Sequence, residues 1–476
     1  MVNFSRFRLA VAPLLLAALV VGASACYGEG NEPVAADTAR YATTETAAPV
    51  PPPAPATTVH VVDGDTGKPV RQARVVARGG VVRATPKGVA ALAVPRHRFQ
   101  VRVSAPGYAA RIVKLDFRRR LDHRVEVWRR SLQWPLYGAN PARTQVQSGI
   151  KVRPPFRIVW TRNVRGLMEF PATTWEGVAY VHTMGGMLRA ISMQSGRVLW
   201  KRDIGSLVAS SPAIDPERRV LVSTSMEPGD VTVRSLATGK VRWRYSTGLT
   251  EPSPVIRDGV AYFGATNGNV YALDLDTHKP RWIFHGGVKI TSSPALVGER
   301  LYFGDYAGRV FALDSRNGRV IWRGSAGGRV YGTVAVAGGR VFAPSVFSGL
   351  SALSAKSGRL LWRISAGSYV YSSPAAYKGR VYFGAYNGLV YAVSAGSGHV
   401  LWTRAAGGRV SGAVQVVDGL VYAASLECRT TAWNWKTGNT AWTFPHGKYV
   451  PVSGSGERLL LHGANKLFAV EHKRRR

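Results

Sequence analysis

Residues 292–322 read SSPALVGERLYFGDYAGRVFALDSRNGRVIW, and residues 372–402 repeat this pattern as SSPAAYKGRVYFGAYNGLVYAVSAGSGHVLW. Similar units follow one another along most of the chain, and each unit ends at a tryptophan. Successive tryptophans are 39 to 43 residues apart, a spacing typical of proteins built from one folded unit per repeat. These tryptophans are Trp160, Trp200, Trp243, Trp282, Trp322, Trp362, Trp402 and Trp442.

One unit contains several short strands separated by turns. Residues 300–304, 309–313 and 320–322 are apolar runs divided by Gly- and Asn-bearing turns, and residues 330–336 supply a fourth run. This alternation predicts hairpins, and four antiparallel strands per unit form one blade of a β-propeller. We expect the repeated tryptophans to be structural and to pack in the core between neighbouring blades.

The two ends of the repeat predict how it closes. Seven complete units end at Trp200 through Trp442, which leaves residues 459–470 without a closing tryptophan and residues 156–160 without a unit before them. Joining these two pieces makes an eighth blade and removes free sheet edges. The sequence therefore predicts an all-β fold: an eight-bladed β-propeller of four-stranded antiparallel blades, preceded by a small β-sandwich. Seven blades is the alternative.

Three tetrapeptides carry a resemblance to a known family. Residues 271–274 (YALD), 311–314 (FALD) and 391–394 (YAVS) are each followed by a turn and a tryptophan, with His278 once in place of the turn glycine. The pattern resembles the repeat of the PQQ-binding-like propellers, which include the BamB outer-membrane assembly lipoproteins and the quinoprotein dehydrogenases. The resemblance covers residues 134–471. It implies the fold more than the function, because one propeller fold supports many functions.

The N-terminal region predicts export and anchoring. Residues 1–25 read as a signal peptide, with a basic end, an apolar stretch too short to span a membrane, and Ala-Ser-Ala before Cys26. Residues 22–26 resemble a bacterial lipobox, which implies lipidation of Cys26; simple cleavage before an unmodified Cys26 is the alternative. Residues 26–58 are rich in Ala, Thr and Pro and predict a flexible, lipoprotein-type linker.

Residues 59–130 alternate short apolar runs with turns and predict a small antiparallel β-sandwich. The turn at residues 65–70 (DTGKPV) and the hairpin at 105–108 (APGY) resemble the carboxypeptidase-regulatory-like, transthyretin-like family, which implies a spacer or binding module. In the connecting segment, Trp134 and Tyr137 are expected to pack on the propeller base. Residues 472–476 form a basic tail, either solvated or in contact with an anionic lipid surface.

The residues that catalysis would require are missing from the sequence. The quinoprotein resemblance implies a pair of adjacent cysteines, but the chain has only Cys26 and Cys428. We expect Cys428 to be a small buried or half-buried residue. Asp274 and Asp314 are expected to cap turns, which leaves Glu169 and Glu251 as the acids placed to face the channel. The sequence therefore predicts no catalytic residue, no cofactor and no metal site.

Equivalent positions of a closed ring form a ring themselves, so residues seven after each tryptophan should surround one channel mouth. They are Leu167, Leu207, Thr250, Lys289, Arg329, Tyr369, Arg409 and Tyr449. Lys448 precedes Tyr449, and Tyr331 and Tyr371 lie two residues after Arg329 and Tyr369. The cationic and aromatic members, Lys289, Arg329, Tyr331, Tyr369, Tyr371, Arg409, Lys448 and Tyr449, form a candidate binding rim. The alternative is that they are ordinary solvated loop residues. Trp433 and Trp435 depart from the repeat and predict an inter-blade layer.

The protein carries 63 Lys and Arg against 27 Asp and Glu, a net charge of +36. Such an excess predicts attraction to anionic partners. Together these features predict a monomeric, non-enzymatic lipoprotein of the bacterial cell envelope, outside the cytoplasm and anchored to the membrane. Its propeller would bind an envelope protein or an anionic wall polymer, and no nucleic acid partner is expected. The alternative is a quinone-dependent (PQQ) oxidoreductase of the quinoprotein dehydrogenase type.

Overall fold

A computed structural model describes residues 57–77, 80–94 and 97–473. The predicted signal peptide, Cys26, nearly all of the linker and Arg474 to Arg476 lie outside the described residues. The regular secondary structure of the described part is β-strand, apart from one short 3-10 helix at Arg130–Leu132. None of its helices has the length and apolar character that crossing a membrane requires.

The N-terminal module contains seven strands in two sheets around one core. The strands are β1 (Thr57–Asp63), β2 (Arg74–Ala77), β3 (Gly80–Arg83), β4 (Val89–Leu92), β5 (Arg98–Ser104), β6 (Arg111–Asp116) and β7 (Asp122–Val127). The sheet orders are β4-β1-β7 and β3-β2-β5-β6. Val59, Val75, Val103 and Phe117 are fully buried in a cluster shared by both sheets. The expectation of purely antiparallel pairing was wrong at one place, because β1 pairs with β7 in parallel.

Two further strands precede the repeats, and eight antiparallel sheets follow them. The two strands are β8 (Val146–Gln147) and β9 (Phe156–Asn163). Sheet 1 contains β10 (Thr173–Trp175), β11 (Val178–His182), β12 (Met187–Ser192) and β13 (Val198–Asp203). Sheet 2 contains β14 (Ala213–Asp215), β15 (Val220–Thr224), β16 (Asp230–Ser235) and β17 (Val241–Ser246). Sheet 3 contains β18 (Val255–Arg257), β19 (Val260–Gly264), β20 (Asn269–Asp274) and β21 (Pro280–His285).

The next three sheets repeat this arrangement. Sheet 4 contains β22 (Ala295–Val297), β23 (Arg300–Gly304), β24 (Arg309–Asp314) and β25 (Val320–Ser325). Sheet 5 contains β26 (Ala335–Ala337), β27 (Arg340–Ser345), β28 (Gly349–Ser354) and β29 (Leu360–Ile364). Sheet 6 contains β30 (Ala375–Tyr377), β31 (Arg380–Gly384), β32 (Leu389–Ser394) and β33 (Val400–Ala405). The first strand of a unit is shorter than expected, since residues 330–334 come before β26.

The last two sheets include strands from elsewhere in the chain. Sheet 7 contains β34 (Gln415–Val417), β35 (Leu420–Ala424), β36 (Thr430–Asn434) and β37 (Thr440–Phe444), with β8 added in parallel beside β34. Sheet 8 contains β38 (Val452–Ser455), β39 (Arg458–His462) and β40 (Lys466–His472). Its fourth strand is β9, with Ala469 opposite Trp160, as the sequence predicted for these two pieces.

The repeated tryptophans bridge from one sheet to the next. The indole N–H of Trp282 donates to the carbonyl of Ser315 at 2.9 Å, and Trp322 makes the same contact with Ala355 at 3.1 Å. Each ring also lies over the turn of the next unit, where a Cβ on Gly318 would come within 2.7 Å of Trp282. In sheet 3 that turn position is His278, whose ring stacks on Trp243 at 4.5 Å.

The irregular tryptophan pair of sheet 7 also lies between sheets. Trp433 is buried in a cluster with Tyr382 and Trp402 of sheet 6, and Trp435 packs against the same cluster. This agrees with the predicted inter-blade layer.

Candidate functional site

The first strands of the sheets surround a central cavity. Most adjacent first strands contact one another, and β38 of sheet 8 contacts β10 of sheet 1. Hydroxyl groups connect the segments just before these strands: the Ser253 Oγ accepts from the Ser211 N–H, and the Ser293 Oγ from the Ser253 N–H, both at 2.9 Å. Buried His462 accepts from the Ala172 N–H at 3.1 Å, which is a structural role. The inner wall is therefore held by bonds between sheets.

The floor of the cavity is formed by the segment that precedes β8. Trp134 and Tyr137 are buried there, as expected, and the Tyr137 hydroxyl donates to Ser373 Oγ at 2.9 Å. Backbone N–H groups from five sheets donate to carbonyls of this segment: Ile214 to Pro135, Leu296 to Pro141, Val336 to Ala142, Ala376 to Thr144, and Val416 to Gln145. A sixth sheet exchanges backbone bonds between Thr174 and Trp134. One short segment thus ties most of the sheets together.

Arg143 fixes this floor through an arrangement without a carboxylate. Its side chain is fully buried and donates to the carbonyls of Ser253, Pro254 and Pro294 at 2.9 Å each, and to Tyr137. Burial lowers the pKa of Arg143 to about 9. A guanidinium has five N–H donors in a fixed fork, which suits several carbonyls at once.

The cavity above the floor has a volume of about 70 Å³. Glu169 and Glu251 both line it, as predicted from their position before the first strands. Burial raises the pKa of the Glu169 carboxyl above its usual range, and the neighbouring charge of Glu251 adds to the shift. Burial also raises the pKa of Glu251, an effect that Lys289, 3.7 Å away, partly offsets. The remaining lining consists mainly of Tyr137, Phe170, Thr291, Ser293, Tyr331, Thr333, Tyr371, Ser373, Ser411 and Tyr449.

The structure brings two of the candidate rim cations to one aromatic ring. The Lys289 ammonium lies 5.0 Å and the Arg329 guanidinium 4.9 Å from the ring centre of Tyr306. Tyr331 and Tyr371 form an edge-to-face pair at 5.2 Å beside them, and Tyr369 lies 6.2 Å from Tyr371. These residues form one continuous aromatic surface at the mouth.

The other candidate cations are more dispersed and partly neutralised. Arg409 pairs with Glu427 at 2.9 Å, and Lys448 lies 6.0 Å above the ring of Tyr449. Because Lys289 also has a carboxylate partner, the positive charge at this mouth is smaller than the number of cations implies. In the described part of the chain, no ion pair includes Arg329 or Lys448.

Three aromatic residues of the mouth were missed in the sequence. Tyr306 and Tyr386 follow the second strands of their sheets, and their N–H groups donate to the carbonyls of Lys289 and Tyr369. Tyr386 lies 4.8 Å from Tyr371, and Phe347, in the corresponding turn of sheet 5, lies 5.5 Å from Tyr369. Their common position, about seventeen residues after the predicted rim residue of each unit, is the signal that could have found them.

One predicted ring position was off by a residue. In other sheets the carbonyl of the ring residue accepts a hydrogen bond from a backbone N–H in the turn after the second strand, as Lys289 does from Tyr306. In sheet 3 the carbonyl that accepts this bond, from Thr266, belongs to Leu249. Leu249 therefore occupies the ring position that was assigned to Thr250. The spacing from Trp243 to Trp282 is 39 residues, one fewer than the usual 40, and the missing residue lies between Trp243 and Leu249. Leu249 is 49% exposed, whereas Thr250 is buried.

The cavity does not fit a quinone with calcium. A pocket for a ligand of that size normally has several hundred Å³, and this one has about 70 Å³ above a floor of protein. No cluster of three or more His, Cys, Asp or Glu suited to a metal occurs among the described residues.

Two further residues singled out in the sequence lie in turns. Asp274 caps its own turn, accepting the N–H groups of Asp276 and Thr277, as expected. The prediction for Cys428 was wrong: it is exposed, because it lies in a hairpin turn with a positive φ of 62°.

Comparison with known proteins relates the repeats to one family. The profile of the family described as outer membrane protein assembly factor BamB matches residues 126–323, 267–370 and 347–474. BamB of Yersinia pestis is 27% identical over 143 residues, and BamB of Moranella endobia is 28% identical over 142 residues. Each match covers 26% of this chain and only 36% of the relative.

Solved structures show the same fold at low sequence identity. BamB from Moraxella catarrhalis matches with a TM-score of 0.57 at 16% identity, over 68% of this chain and 99% of that one. The quinohemoprotein alcohol dehydrogenase from Comamonas testosteroni gives 0.61 at 13% identity, over 73% and 82%. A europium-containing methanol dehydrogenase gives 0.63 at 11% identity, over 72% and 98%. At such identities the likeness concerns the fold alone.

Proposed function

The chain belongs to the family of the outer membrane protein assembly factor BamB, and from this membership we propose a non-enzymatic scaffold that binds envelope proteins. The proposal includes eight blades closed into a ring, which the eight sheets and the pairing of β9 with β40 support. It includes a lipid on Cys26 that tethers a monomer to the membrane outside the cytoplasm. It also includes a carboxypeptidase-regulatory-like spacer, supported by the two-sheet core of the N-terminal module.

The observation that carries this proposal is the exposed apolar surface at the channel mouth. Phe347 is 65% exposed and Tyr369 47%, and their rings lie 5.5 Å apart on the aromatic surface that leads into the cavity. Leu249, at the equivalent ring position of sheet 3, is 49% exposed. Rings that lie exposed next to one another are typical of protein contact sites, where aromatic residues supply most of the binding energy. We therefore assign the partner-binding surface to this mouth.

A pull-down from native envelope tests this assignment. We would compare the wild type with the double variant Phe347→Ser, Tyr369→Ser, which removes exposed rings and leaves the sheet cores intact. The matched control is Val81→Ser, Ile112→Ser, because these side chains are 48% and 50% exposed on the N-terminal module. The mouth variant should lose the partner while the control keeps it. Equal recovery from both variants would refute the assignment.

An anionic wall polymer is a second candidate partner, favoured by the net charge of +36 and by Arg329, which has no carboxylate partner among the residues that the structure describes. Neutralising Lys289, Arg329 and Arg409 to Gln should weaken polymer binding more than neutralising Arg74, Arg102 and Arg118 on the N-terminal module. Gln is preferable to Glu here, because a carboxylate at position 289 would face Glu251. Equal losses from the two triple variants would show diffuse attraction and no site.

We do not propose the quinone-dependent dehydrogenase, because the cavity residues do not fit the cofactor. The purified protein should show neither a stoichiometric quinone spectrum nor alcohol oxidation when it is supplied with PQQ and calcium. Turnover with a bound quinone would overturn the scaffold proposal.

A further inference from the structure

The cavity holds more negative charge than its surroundings neutralise. Glu169 and Glu251 line it together, and Lys289 is the cation paired with one of them. In the described part of the chain, no hydrogen bond or ion pair reaches the Glu169 carboxylate. Other partly buried or buried acids differ in this respect: Glu176 pairs with Arg219, and Asp305 pairs with Arg309. A partly buried carboxylate without a partner is costly, so a bound cation would stabilise it.

Aromatic rings form the other side of the cavity. Tyr331 and Tyr371 meet edge to face at 5.2 Å, and both line the cavity. Burial raises the pKa of Tyr331 above its usual range, and the nearby charge of Glu251 adds to the shift. The ring of Tyr331 forms part of the cavity wall. At the same mouth, the protein's own Lys289 and Arg329 already lie over the ring of Tyr306. A tyrosine ring therefore holds cations at this mouth, and Tyr331 and Tyr371 bring two more such rings to the lining of the cavity.

The size of the cavity limits what can enter. A volume of about 70 Å³ is far below the roughly 300 Å³ or more of an ordinary small-molecule pocket, but it can hold an ammonium or guanidinium group. The mouth around it exposes Phe347 and Tyr369, which suit the body of a protein chain. The occupant should therefore be the end of one side chain, attached to a larger partner that covers the mouth.

We propose that the cavity receives a single lysine or arginine side chain of the partner protein, between the carboxylates of Glu169 and Glu251 and the rings of Tyr331 and Tyr371. This rests on the protein-binding function proposed above and specifies the chemistry of that site. The basic group would leave the two acids with two cations, so the cavity would be neutral. The partner is thus identified by a projecting basic side chain within an otherwise neutral or acidic surface, because the rest of this protein repels positive charge.

Two synthetic peptides test the proposal on the full-length protein. The probe is N-acetyl-Ser-Gly-Arg-Gly-Ser-amide, and its neutral counterpart has citrulline in place of arginine. We would measure the affinity of each by titration calorimetry or by ligand-observed NMR. The arginine peptide should bind about tenfold more tightly, the difference expected for one charge-assisted hydrogen bond. The net charge of +36 repels a cationic peptide elsewhere, so this preference can arise only from a local acidic site.

Variants separate the cavity from other acidic places. Glu169→Gln has nearly the same shape and should abolish the preference for arginine, and Tyr371→Ser should weaken it while both carboxylates remain. Glu217→Gln, the same change at an exposed position on sheet 2, should leave it unchanged. Equal affinity of the two peptides, or a preference that survives Glu169→Gln, would overturn the proposal.

The envelope pull-down distinguishes this inference from the function on which it depends. If the mouth variant loses a protein partner but the two peptides bind equally, the scaffold function is supported and the proposal of a basic side chain in the cavity is refuted. If the arginine peptide is preferred but the mouth variant still recovers every protein that the wild type does, the proposal of a partner's side chain is refuted, and the site binds a free small cation instead.

Discussion

Replacing Asp65 by Asn should stabilise the protein at neutral and alkaline pH. Asp65 lies where the N-terminal module meets sheet 8: its carboxylate is 3.4 Å from Ser455 Oγ and 3.5 Å from Gln133 Nε2. Burial raises its pKa to about 7, repulsion from Asp63 adds to the shift, and the contact with Ser455 partly opposes it. The folded protein therefore prefers Asp65 protonated, whereas the unfolded chain ionises it near pH 3.8.

The sign and size of the effect follow from this difference. A carboxyl whose pKa is higher in the folded state destabilises the fold when it is ionised, so stability falls as the pH rises from about 4 to about 7. Each pKa unit corresponds to about 1.4 kcal/mol, which gives an upper limit of about 4 kcal/mol above pH 7. Because solvent reaches part of this carboxylate, we expect about 2 kcal/mol.

Thermal unfolding at several pH values measures this contribution. The melting temperature of Asp65→Asn should exceed that of the wild type by about 3 °C at pH 8, and the gap should close towards pH 4.5. Glu217→Gln removes the same charge at an exposed position, and its melting temperature should equal that of the wild type at both pH values. A lower melting temperature for Asp65→Asn at pH 8, or a gap that is constant with pH, would refute the reasoning.

Three further predictions concern closure, the floor and the anchor. Deleting residues 459–476 removes the partners of β9 and should cause aggregation or loss of cooperative melting; a truncated protein that melts like the full one would show that the ring closes elsewhere. Arg143→Lys keeps the charge but cannot reach four carbonyls, so urea unfolding should show a loss of about 2–3 kcal/mol, and an unchanged midpoint would argue against its role. Cys26→Ser should move the protein from the membrane fraction to the soluble one, and unchanged fractionation, with Arg474 to Arg476 also removed, would contradict lipidation.

The repeat and its closure were predictable because their determinants recur along the sequence. Every repeated tryptophan except Trp442 packs over the turn of the next unit, as Trp282 does over Gly318, so one spacing fixes both strand order and inter-sheet contact. Leftover pieces at the two ends then had to pair, and β9 and β40 do so. The repeat therefore indicated which distant segments are in contact, which the alternation of apolar and polar residues within one strand cannot do.

The chemistry of the mouth was only partly predictable, because it depends on which loops meet. Counting along the sequence placed Lys289 and Arg409 on one ring but could not show that Glu251 and Glu427 neutralise them. It also missed Tyr306, which lies in a different turn and gathers two of the cations. Glu169 and Glu251 could be assigned to the channel from position alone, whereas the missing partner of Glu169 required the fold.

The central claim is that the channel mouth contacts a protein in the envelope, and site-specific photocrosslinking in intact cells tests it most directly. A photoreactive amino acid would replace Phe347 at the mouth or, as the control, Leu401, which is 42% exposed on β33 of sheet 6. We predict one discrete protein adduct from position 347 and none from position 401. An adduct from position 401 alone, or no protein adduct from position 347, would contradict the account.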